Sequence, residues 1–165
     1  MLEADPQAIV ARVNLFGWSL SGRRSLAEFF FNKLSAGERC MGFTDVYFCP
    51  LLANDLGRLF LKMLEARLSG LYHIVGSECS SKYDFGLRVA RLFGLDASLI
   101  SPASVQASGL TAARSPNLTL NTAKLANALG EPLPNLSTGL EQFYTLYQQG
   151  YPQSLARMTL KAKET

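Results

Sequence analysis

The sequence predicts an α/β fold, in which strands of a partial parallel sheet join a smaller α+β part. Two runs and one pattern predict it. "AIVARVNLFG", Ala8 to Gly17, is nearly all apolar over its first half and rich in β-branched residues, which reads as a strand buried on both faces. Leu71 to Val75 repeats that character. Between and after these runs lie one-sided helical stretches with caps and stops. Parallel strands need neighbours and helices on both faces, so two such strands look like half of something larger.

Each element follows from local chemistry. Arg12 is the one charge of the first strand. Ser25 to Gly37 is a helix: Ser25 and Glu28 form a capping box, Phe29, Phe30 and Leu34 supply the buried side, and Gly37 stops it. Cys40 to Pro50 lacks clean alternation and reads as a short extended piece bending into a loop. A second helix runs from an Asn54 cap to Ser69, with Leu56, Leu59, Phe60, Met63 and Leu64 on one side. Gly70 allows the turn into Leu71–Val75. The elbow from Ser77 to Lys82 delivers a third helix, capped by Ser81, with Asp84 where a capping-box acid belongs. Its core face is Phe85, Val89, Leu92 and Phe93, and Gly94 ends it. Leu99-Ile100 is a candidate short strand, and "NLTLNTAKLANALG" a brief extended piece and short helix ending at Gly130. A last helix, Thr138 to Gln149, presents Leu140, Phe143, Tyr144 and Tyr147. Residues 1–150 read as one domain, and 151–165 as a partly frayed tail.

Composition excludes several classes. A chain of 165 residues, 48% hydrophobic and 18% charged, is globular. It is long enough to bury roughly 70% of its unfolded surface. The net charge of +3 is scattered, with Arg23-Arg24 and Lys161/Lys163 the only small clusters, so no nucleic-acid groove is expected. No apolar run approaches the ~20 residues of a membrane helix. "MLEADPQ" has no signal-peptide character, and a cytoplasmic protein is expected. Cys40, Cys49 and Cys79, an odd number at irregular spacing, read as three reduced thiols. The two glycosylation sequons, at Asn117 and Asn135, are then idle.

The chain lacks the usual signatures of catalysis. Its glycines form neither G-x-G-x-x-G nor G-x-x-G-x-x-G nor a P-loop, and bulky residues cannot replace them where backbone meets a pyrophosphate. No tyrosine has a lysine four residues later. His73, the only histidine, sits inside "LYHIV", where a hydrogen-bonded structural role is the reading. With the three cysteines it could supply four zinc ligands, but no C-x-x-C is present, and buried thiols are preferred. Asp45, the one carboxylate in an aromatic loop, reads as exposed or turn-stabilising.

Four stretches, in order, carry a resemblance: "ARVNLFGW", "FTDVYFCPLLANDLGRLF", "GLYHIVGSECSSKYDFGLRVARLFG" and "ARSPNLTLNTAKLANALG". Together they resemble the C-terminal, substrate-binding half of extended short-chain dehydrogenase/reductases of the dTDP-4-dehydrorhamnose reductase-like (RmlD-type) family, over Ile9 to about Tyr147. The resemblance implies a Rossmann-type sheet whose glycine-rich, NAD(P)H-binding N-terminal half and Tyr-x-x-x-Lys helix precede this region. "MLEADPQ" looks like the tail of that helix, so Met1 would be internal to a longer relative. Arg114-Ser-Pro departs from the family's direct Arg-Pro.

The resemblance also implies substrate-binding roles. Asn14, Phe16 and Gly17 would approach nicotinamide and substrate, Phe29 and Asn32 would face the sugar nucleotide, and Arg114 would meet its phosphates as a permanently charged fork. The structural alternatives are a strand-end Asn14, a core Phe29 and a solvated Arg114. The function implied is the sugar-nucleotide-binding portion of an NAD(P)H-dependent reductase. No catalytic residue and no metal belong to this chain, which alone is expected to bind no cofactor and to be inactive. Its partners would be a sugar nucleotide and the missing Rossmann half or a partner chain. The alternatives are a non-catalytic regulatory subunit of the same family, an epimerase or dehydratase fragment, and an independent small α/β module.

Overall fold

A computed structural model describes residues 2–106 and 115–161. Two parallel strands form its base: β1 (Ile9–Val13) pairs with β6 (Gly70–Ile74), Val13 opposite Ile74. β2 (Leu15–Phe16) pairs in parallel with β5 (Leu51–Leu52), and β3 (Cys40–Phe43) with β8 (Ile100–Ala103). A three-stranded ribbon places β4 (Tyr47–Phe48) between antiparallel β7 (Ser80–Ser81) and parallel β9 (Asn117–Leu118). The α/β architecture with parallel strands is therefore as read. The strands are more numerous and much shorter.

The capping box at Ser25 and Glu28 opens α1 (Leu26–Ser35). α2 (Ala53–Glu65) starts without a side-chain cap, because β5 runs straight into it and Leu52 holds the cap position; Asn54 is not the cap. Ser81 caps α3 (Lys82–Phe93), accepting from the Asp84 N–H, and left-handed Gly94 ends it. α4 (Ala123–Leu129) ends at left-handed Gly130, and Asn135 caps α5 (Leu136–Gln148). Of the tail expected to be partly frayed, the described residues form a helix, α6 (Tyr151–Lys161), which packs beside α5. Gly150, at φ +73°, turns the chain between them, and the amphipathic tail then has a surface to lie on.

Two apolar clusters hold the fold. One joins Phe16, Phe30, Leu34, Phe85, Leu136 and Phe143 between α1, α3 and α5, with Trp18 stacked on Phe143 at 4.1 Å. The other sets Leu59 and Met63 of α2 and Leu125 of α4 against Tyr72 and Ile74. Three burial expectations are corrected. β1 is not buried on both faces: Arg12 and Val13 are exposed, because among the described residues a strand pairs with it on one side only. Phe29 turns outward at 40% exposure while Phe30 takes the core, and Leu64 lies at 64%.

The thiols are also corrected. Cys49 and Cys79 form a disulfide, and only Cys40 is free, buried, its thiol pushed up by that burial. Irregular spacing concealed the pair, because residues thirty apart meet only after β4 and the elbow behind β6 fold together.

Candidate functional site at the strand ends

Ligands of open α/β sheets lie outside the carboxyl ends of the strands. Here those are the ends of β1 and β6, and Asn14 occupies the first. Its side-chain amide donates to the Leu118 carbonyl of β9 at 2.8 Å, and its own carbonyl accepts from the Leu51 N–H at 2.8 Å. Asn14 thereby ties β1 to β5 and to the ribbon. Phe16 follows as a core residue at 1% exposure, edge-on to Phe85 and Phe143. Gly17 sits where a Cβ would come within 3.2 Å of the Ala53 Cβ, so the chain passes close over the start of α2.

Beside the ribbon lies a cavity of about 220 Å³ lined by Val46, Lys82, Val105, Ser115 and Leu118. Asp45 fixes one wall, accepting from the Ser104 hydroxyl at 2.5 Å and the Val105 N–H at 2.9 Å. The Ser104 hydroxyl, and then the Val105 N–H, hold its carboxyl below the usual carboxylate range. Ser115 makes the other wall, its hydroxyl donating to the Asn117 carbonyl. Lys82 brings positive charge, its ammonium 5.9 Å from the Phe43 ring centre. Arg114, expected to meet phosphates, lies outside the described residues.

Phe29 and Asn32 line a separate, open groove of about 830 Å³ with Arg23 and Lys33. Asn32 donates to the Gly22 carbonyl at 2.7 Å, and Lys33 pairs with Glu38, whose hydrogen bond raises the Lys33 pKa. That groove depends on Glu28. Its fully buried carboxylate accepts from the Ser19 N–H (2.6 Å) and hydroxyl (2.8 Å), the Arg24 N–H (2.9 Å) and the Ser25 N–H (3.0 Å). The loop over residues 19–24 is wound on one carboxylate.

The elbow after β6 is fixed three times. Gly76 donates to the Cys49 carbonyl at 3.0 Å, the disulfide crosses beside it, and Glu78 accepts from Arg88 at 2.5 Å and the Ser137 hydroxyl at 3.2 Å. Burial pushes the Glu78 carboxyl up, but Arg88 and then Ser137 outweigh it and leave it low. His73 has the structural role read for it: its Nδ1 donates to the Asn121 carbonyl at 3.0 Å. Among the described residues no group of His, Cys, Asp and Glu could hold a metal ion.

The sequence reading thus brings Phe29 and Asn32 together, and sets Asn14, Phe16 and Gly17 along one stretch at the strand ends. Lys82, the last residue of the elbow and not among the expected substrate residues, lines the cavity. Its only signal was position, one residue after the Ser81 cap and so necessarily at the end of β7.

The match that decides the family covers residues 1–149, which fit the model of the RmlD substrate binding domain. The chain belongs to that family. The Haloferax volcanii protein described as probable low-salt glycan biosynthesis reductase Agl14 is 26% identical over 142 residues, 84% of this chain and 47% of that protein. The dTDP-4-dehydrorhamnose reductase ortholog of Clostridium acetobutylicum superposes with a TM-score of 0.79 at 21% identity, over 89% of this chain and 51% of that one. The dTDP-4-dehydrorhamnose reductase of Bacillus anthracis, solved with NADP, gives 0.75 at 19% identity, over 83% and 48%. The RmlD-type chain described here spans about half the length of these relatives.

Proposed function

We propose that this chain is the sugar-nucleotide-binding portion of an NAD(P)H-dependent reductase of the dTDP-4-dehydrorhamnose reductase type, with residues 1–150 as the binding domain and 151–165 as its tail. The family match over residues 1–149 carries the reading. The cavity at the ribbon supports it, with Lys82 in its lining; Arg114 is the guanidinium that the resemblance implies. A cation and a planar guanidinium together suit a diphosphate. The reading also assigns to the substrate Asn14, Phe16 and Gly17 at the strand ends, and Phe29 and Asn32 at the separate groove.

The described residues do not fit a dinucleotide. Pyrophosphate is held by free backbone N–H groups at a helix start. The Glu28 carboxylate closes the start of α1, Ser81 closes that of α3, and α2 follows buried Leu51 and Leu52 with no glycine between. On this reading NAD(P)H is held by residues other than those described, and the chain alone neither binds it nor turns over substrate. No described helix is long and apolar enough to cross a membrane. Cytoplasmic work is part of this reading, and the Cys49–Cys79 bridge bears on it, since that compartment keeps thiols reduced and Cys79 is exposed.

Titration calorimetry of the purified chain with dTDP and with NADPH tests the reading. Heat of binding with dTDP alone is expected. Oxidation of NADPH in the presence of a dTDP-4-keto-sugar would overturn it.

A further inference from the structure

We propose that the Cys49–Cys79 bridge is a redox switch for the cavity beside the ribbon. Closed, it holds the Val46 and Lys82 walls together; opened by a dithiol, it lets them part and weakens nucleotide binding. The inference rests on the reading of that cavity as the diphosphate site and names its regulation.

Register places the bridge. β4 and β7 run antiparallel with Tyr47 opposite Ser81 and Phe48 opposite Ser80, so Cys49 and Cys79 are the next facing pair. A ladder of two residues a side has little stability of its own, and the bridge supplies its third rung. The cavity hangs on the other end of that ladder. Val46 stands just before β4 and Lys82 just after β7, and the Lys82 N–H donates to the Val46 carbonyl at 3.0 Å. Leu118 of β9 is aligned with Phe48 on the far side of β4. All three residues line the cavity. The elbow keeps its other ties, Gly76 to the Cys49 carbonyl and Glu78 to Arg88 and Ser137, so opening the bridge frees the ribbon and leaves the elbow in place.

The two sulfurs are unequally placed. Cys49 is 1% exposed, whereas Cys79 is exposed. An attacking thiolate therefore reaches Cys79, forms a mixed disulfide there and expels Cys49, which takes up a proton. The second thiol of the dithiol then displaces Cys79. Two electrons and two protons pass to the protein, and the dithiol becomes a disulfide. Cytoplasmic bridges are mostly transient or redox-sensing, and an exposed one is labile, so a switch fits the compartment that the reading assigns.

Amide hydrogen exchange and dTDP calorimetry on the purified chain, bridged and after dithiothreitol, test the proposal. Reduction is expected to strip protection from the Tyr47 and Lys82 amides, which bond to the Pro116 and Val46 carbonyls, while β1 and β6 keep theirs. The affinity for dTDP should fall about tenfold, a usual size for coupling between two sites. Cys79→Ser should bind as weakly as the reduced chain, with or without dithiothreitol. Unchanged protection at Tyr47 and Lys82, loss that spreads to β1 and β6, a bridge that resists dithiothreitol in the folded chain, or equal dTDP affinity in both states would each overturn the switch. Absence of dTDP binding in both states overturns the nucleotide reading alone, and exchange at the ribbon still decides whether the bridge governs the cavity walls.

Discussion

Removing the Glu28 carboxylate is the sharpest perturbation this structure offers. In Glu28→Ala, three backbone N–H groups and the Ser19 hydroxyl lose their acceptor at a point with no exposure. A hydrogen bond to a charged group contributes about 1.5–3 kcal/mol, but four on one acceptor do not add. Arg24 is exposed and its N–H can turn to water, whereas Ser19 and Ser25 are only half-exposed. Two uncompensated donors set the scale, a loss of about 2–4 kcal/mol. Glu28→Gln retains one acceptor oxygen but points an amide at the remaining donors, and is expected to cost about half as much. Urea unfolding followed by circular dichroism measures both, with an unchanged m-value as the control for two-state behaviour. Glu28→Ala within about 0.5 kcal/mol of the parent would refute the claim that this carboxylate organises the loop.

Gly76→Ala should destabilise by about 2–4 kcal/mol, since its Cβ would stand 2.5 Å from the Pro50 carbonyl oxygen and backbone cannot yield; the same unfolding experiment reads it. Reducing Cys49–Cys79, which closes a loop of thirty residues, should lower stability by roughly 3–4 kcal/mol, and Cys79→Ser should match the reduced protein and ignore dithiothreitol. Glu78 titrates below its ordinary value, so its contribution is present above the unfolded pKa of about 4.3 and fades as pH falls through the folded one. Acid unfolding of Glu78→Gln should therefore show a shallower loss of stability in that window, and an unchanged acid limb would remove the Arg88 and Ser137 contacts from the account.

Local chemistry made much of this fold legible. Ser25 with Glu28, Ser81 with Asp84, and Gly94 and Gly130 at helix ends are short-range patterns, and each stands where periodicity put it. What depends on distant neighbours was not legible. The apolar run of β1 reads as buried on two faces, yet Arg12 and Val13 are exposed, and a run of apolar residues does not tell a covered face from an open one. Phe29 and Phe30 are adjacent aromatic residues that only packing against α3 can sort into outside and inside. The ribbon strands are two residues long, too short for any alternation, so the cavity beside Lys82 had no signature of its own.

The pairing of β1 with β6 has a consequence for biosynthesis. Val13 waits for Ile74, sixty-one positions further on, and the whole of α1, β3 and α2 must be made between them. At translation rates of about 5–20 residues per second, a β-branched hydrophobic segment stays without its mate for roughly 3–12 seconds. For that interval the nascent chain presents a ready binding site for chaperones, and its expression yield should depend on their supply.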